Sequence, residues 1–90
     1  MKTMGFRVAG RVQGVGFRWW TQRIANKLGM RGWVRNCADG SVEVQAAGSG
    51  EALEAFAVRL GEGPVGSRVD SVEVIPSVVV GEAREFRIEG

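Results

Sequence analysis

Between Gly10 and Arg18 the chain reads Gly10-Arg11-Val12-Gln13-Gly14-Val15-Gly16-Phe17-Arg18. Glycine permits positive φ and leaves backbone N–H groups unshielded, so a connection this rich in it can curl its amides around an oxyanion. A helix starting just after it aims a partial positive charge at the same spot. Arg18 adds a planar fork suited to phosphate. Neither common nucleotide-loop signature is present. G-x-x-x-x-G-K-[ST] is absent, and G-x-G-x-x-G fails because Trp19 stands where the third glycine belongs. By pattern alone the segment fits a structural glycine turn as well as an anion cradle. Charge favours the cradle: residues 1–38 hold eight cations and no carboxylate, whereas residues 39–90 hold four arginines and ten carboxylates. Such unlike halves point to an anion-attracting face.

The elements that would position this loop follow from periodicity. Met4, Phe6 and Val8 alternate with Gly5, Arg7 and Ala9 as a half-buried strand does, continuing to about Val12. Phe17, Trp20, Ile24 and Leu28 recur at helical spacing, and Gly29 supplies a helix stop. A strand ending near Asn36, a turn at Ala38-Asp39-Gly40 and a strand of Val42, Val44 and Ala46 read as a hairpin. Ser49 caps a second helix whose Leu53, Phe56, Ala57 and Leu60 share a face, with a loop expected from Gly61 to Gly66. Val69, Val72 and Val74 mark another strand, which Pro76 ends, and Phe86 with Ile88 form a short last one. The order β-α-β-β-α-β plus a terminal strand predicts one domain over residues 1–90. Its class is α+β: a ferredoxin-like α/β sandwich, an antiparallel sheet with two helices on one face. Trp20 and Trp33 are expected in the core, Trp19 as a partly exposed cover, and Thr21 either bracing the loop or facing solvent.

Composition narrows the chemistry. The chain has no histidine and no tyrosine, so the commonest acid–base groups and metal ligand are missing. A single cysteine, Cys37, fits a reducing compartment. No apolar run approaches the roughly 20 residues of a membrane span, and no signal-like stretch follows Met1. A cytoplasmic monomer is expected, with no membrane or nucleic-acid partner.

Val12-Gln13-Gly14-Val15-Gly16-Phe17-Arg18, Gly32-Trp33-Val34-Arg35-Asn36 and Asp39-Gly40-Ser41-Val42-Glu43 resemble the signature segments of the acylphosphatase family, and the resemblance spans the whole chain. It implies a ferredoxin-like sandwich that hydrolyses the carboxyl–phosphate bond of acyl phosphates without metal or cofactor. By that resemblance Arg18 binds the phosphate and Asn36 orients the attacking water. The amides of Gln13, Gly14, Val15, Gly16 and Phe17 form the phosphate loop, with inorganic phosphate and other anions as further ligands. Gly16 departs from the family pattern, which often has a larger side chain there. So does the end Ile88-Glu89-Gly90, where many members have a basic residue and a tyrosine.

The residues agree with that chemistry on their own account. A Cys-x₅-Arg nucleophile fails because Glu43 is the sixth residue after Cys37, and Asp39 lacks a second Asp two positions on. The carboxylates are too scattered for a two-metal site. Direct attack by water on a bound phosphoryl group remains, driven by positioning and charge. With no general acid, the leaving group must depart unprotonated, as a carboxylate with a conjugate-acid pKa of about 4 does. The rival reading is a ferredoxin-like nucleic-acid- or anion-binding module without catalysis. The Val42–Ala46 strand offers it no stacking aromatic, and Glu43 would repel phosphates.

Overall fold

The computed structural model describes residues 1–78 and 83–90. Strand β1 (Lys2–Arg11) leads through the glycine loop into α1 (Phe17–Lys27). The hairpin follows as β2 (Arg31–Asn36) and β3 (Val42–Gly48), then α2 (Gly50–Glu62), β4 (Arg68–Ile75) and β5 (Phe86–Ile88). The sheet order is β4-β1-β3-β2-β5. Helix α1 therefore crosses between β1 and β2 over β3, and α2 crosses between β3 and β4 over β1, so two split β-α-β units interlock. The expected antiparallel sheet holds for β1 with β3, β1 with β4, and β2 with β3. The terminal strand differs: β5 runs parallel to β2, which makes the sheet mixed.

Alternation along the strands puts one set of side chains under the helices. Phe6 and Val8 pair with Val44 and Val42 across β1 and β3, and Val34 pairs with Val44 across β2 and β3. All five are buried. Phe56 of α2 joins the layers, meeting Phe6 and Phe86 edge-on with ring centroids 6.0 Å apart in each pair.

The buried stripe of α1 is Phe17, Thr21, Ile24 and Ala25 rather than one centred on Trp20 and Leu28. Trp20 tilts against Phe17 at 5.4 Å and carries the Arg59 guanidinium of α2 over its ring, 5.7 Å from the centroid. It is thus half-buried between the helices instead of under them. Helix α2 runs past Gly61, the expected start of a loop, to Glu62, whose carboxylate pairs with Arg59 at 2.9 Å. After β4 the chain turns onto the sheet's other face: the Gln45 side chain contacts the Pro76 carbonyl and the Val78 N–H, which buries this mid-strand amide. Among the described residues no helix is long and apolar enough to cross a membrane.

Candidate active site

The β1–α1 loop is pinned at both ends by buried side chains, Val12 and Phe17. Between them Gly14 and Gly16 adopt φ of 74° and 77°. A Cβ at either glycine would meet nothing within 4 Å, so glycine is required there by the backbone conformation and not by space. The result is a row of backbone donors. Among the described residues, no N–H from Gln13 to Trp19 finds a backbone acceptor. Helix α1 has no side-chain cap and no acidic residue in its first turn. Helix α2 has both: Ser49 accepts a bond from the Ala52 N–H, and Glu51 lies in its first turn. The start of α1 is therefore positively polarised and unquenched. Arg18 stands in that first turn, half-buried and without an ion pair among the described residues.

Asn36 is the last residue of β2 and pairs with Val42, which places its side chain on the helix-facing side of the sheet. Its Oδ1 is buried and, among the described residues, has no hydrogen-bond partner. The turn beyond it is closed by its own hydrogen bonds. The Cys37 N–H donates to the Ser41 carbonyl at 2.8 Å and the Gly40 N–H to the Cys37 carbonyl at 3.1 Å. The Asp39 carboxylate accepts from the Ser41 hydroxyl at 2.6 Å and its N–H at 3.0 Å, and these bonds hold the Asp39 carboxyl below its ordinary pKa. Loop and hairpin are joined by Gln13, whose Nε2 donates to the Cys37 carbonyl at 2.8 Å and the Ser41 carbonyl at 3.0 Å.

The sequence reading assigned Gln13 a backbone role, and its side-chain link was missed. The only signal available was the residue type, an amide with two donors in a loop otherwise built of glycine and valine. Thr21 fits neither expectation, since it is fully buried and its Oγ1 has no partner among the described residues. Trp33 is not in the core: it is half-buried on the face away from the helices, with the Arg35 guanidinium 5.2 Å from its ring centre. Trp19 is 71% exposed. Glu43 is neutralised by Arg35, with the charged atoms 2.7 Å apart. Among the described residues no three His, Cys, Asp or Glu side chains cluster to hold a metal ion.

A two-layer α+β sandwich with an open, cationic strand-to-helix loop defines a ferredoxin-like protein suited to a phosphoryl ligand. The chain matches the acylphosphatase family over residues 4–88. It is 51% identical to an acylphosphatase of Koribacter versatilis, covering 99% of this chain and 81% of that one. With an acylphosphatase of Rhizobium etli it shares 50% identity, over 93% and 89% of the two chains. The crystal structure of acylphosphatase from Bacillus subtilis superposes over 100% of both chains with a TM-score of 0.93 at 38% identity. The chain belongs to the acylphosphatase family, and it is a hydrolase of acyl phosphates.

Proposed function

We propose that this acylphosphatase works by direct attack of water on phosphorus. The amides of Gln13, Gly14, Val15, Gly16 and Phe17 cradle the phosphoryl oxygens, Arg18 clamps them, and Asn36 holds the water. The observation that carries the reading is the buried, unpartnered Oδ1 of Asn36 on a hairpin strapped to the anion loop. A buried oxygen left without a donor costs about 1–3 kcal/mol. A water donating to it relieves that cost and keeps a lone pair for attack.

Loop amides and the Arg18 fork support the negative charge that spreads over the equatorial phosphoryl oxygens as the reaction proceeds. The bond from phosphorus to the acyl oxygen breaks as the bond to the water oxygen forms. The carboxylate leaves as an anion, and the water's proton passes to a phosphate oxygen. No metal or cofactor takes part. The enzyme acts as a cytoplasmic monomer on small acyl phosphates, with inorganic phosphate as its product ligand and no nucleic-acid or membrane partner.

Hydrolysis of benzoyl phosphate by wild type, Arg18→Ala and Asn36→Ala, with and without EDTA, tests the reading. Wild-type activity should survive EDTA. Arg18→Ala should lose nearly all activity and bind inorganic phosphate weakly. Asn36→Ala should lose about 10²–10³ in kcat, the scale of one preorganised polar group, with phosphate affinity little changed. A folded Asn36→Ala that loses phosphate binding as fully as Arg18→Ala would refute the water-holding role.

A further inference from the structure

The geometry points to Gln13 as a positioning residue: its side chain sets the phosphate cradle against the hairpin that carries Asn36, so that bound phosphorus and attacking water meet in line. The proposal rests on the reading of Asn36 given above. Both N–H bonds of one planar amide are used, to the carbonyls of Cys37 at 2.8 Å and Ser41 at 3.0 Å. These carbonyls flank the turn immediately beyond the Asn36–Val42 pair. Each already accepts one backbone N–H, from Gly40 and Cys37 respectively, so Gln13 fills the second lone pair of each. A single bond would let the loop pivot about it, whereas two bonds from one rigid group fix tilt as well as distance. Among the described residues no other hydrogen bond joins residues 12–16 to the hairpin. In-line attack depends steeply on such alignment, and a misplacement of about 1 Å costs on the order of 10²-fold in rate.

The test is a double-mutant cycle on benzoyl phosphate. Gln13→Met keeps the side chain's bulk and removes both donors. Gln13→Asn keeps the amide but is one methylene too short to reach both carbonyls, and it serves if the Met variant melts below the assay temperature. Either should lower kcat by about 10–10²-fold while inorganic phosphate affinity, read by titration, stays near wild type. Introduced into Asn36→Ala, the same substitution should add little further loss, because the water it aligned is no longer held. Equal fold-losses in the two backgrounds, or unchanged kcat in a folded Gln13 variant, overturn the proposal. If Asn36→Ala alone leaves kcat intact, the reading of Asn36 fails instead, whatever the Gln13 variants do.

Discussion

Among the described residues Thr21 and Asn36 each bury an oxygen without a partner, but only Asn36 lies on the hairpin tied to the β1–α1 loop. The Thr21 hydroxyl is enclosed in the sheet-facing stripe of α1. Replacing an unpartnered buried hydroxyl by a methyl removes a desolvation cost, so Thr21→Val should stabilise the fold by about 1 kcal/mol. In a domain this small that raises Tm by roughly 4–8 °C. A thermal melt decides it, and a fall in Tm shows that the hydroxyl has a partner in solution. Arg18→Lys should remain nearly as poor an enzyme as Arg18→Ala, because a point charge does not replace a fork that meets two oxygens at once. Steady-state kinetics on benzoyl phosphate compare the two. Arg18 stood out in the sequence by its place beside the glycine loop, and Asn36 only through the resemblance of its segment to the family's; their roles in turnover are the proposal made above. The Gln13 side-chain link and the burial of Thr21 were not, since each depends on which element packs alongside.

The two helices begin in opposite ways, and the contrast is written in Ser49 and Gly16. A capping hydroxyl at Ser49 closes the start of α2, while a left-handed glycine leaves the start of α1 open. Gly16→Ala meets no clash, so its cost is the conformational one alone, about 1–2 kcal/mol for an L residue held left-handed. Denaturant unfolding measures this, and a much larger loss would mean that the loop repacks. The β2–β3 hairpin carries a second prediction. Burial pushes the Glu43 carboxyl up, but hydrogen bonds from Arg35 and Gln45 and the charges of Arg35 and Arg7 outweigh it, and the net shift is downward. Asp39 is shifted the same way by Ser41. Carboxyls depressed in the folded state stabilise it above their ordinary pKa of about 4 and cease to do so as pH falls through the depressed values. Tm should therefore drop on acidification through that window, and less so in Asp39→Asn with Glu43→Gln. Alternation and capping made these elements readable in advance. The direction of β5 was not, because Phe86 and Ile88 show the same alternation in a parallel pairing as in an antiparallel one.

Across the molecule, charge is left uneven by the pairing that does occur. The ion pairs among the described residues are Arg35–Glu43, Arg59–Glu62, Arg68–Asp70 and Arg87–Glu85, so of the eight cations in residues 1–38 only Arg35 is matched. An anionic substrate is drawn to such a surface in a salt-dependent way. kcat/KM should fall several-fold as ionic strength approaches about 1 M, where the screening length is about 3 Å. A flat profile would confine the attraction to the cradle itself. The bare start of α1 reaches further than catalysis. On the proposed reading, phosphate supplies the cap that this helix lacks, and it binds only where the helix exists. Folding is thus linked to the buffer: at about 100 times its dissociation constant, phosphate adds about 2.7 kcal/mol to the native state. Melts in phosphate should exceed melts in a zwitterionic buffer, and Arg18→Ala should lose most of the difference. On the proposed reading, the ion that turnover releases is then also a preservative, guarding the fold during the intervals when there is nothing to hydrolyse.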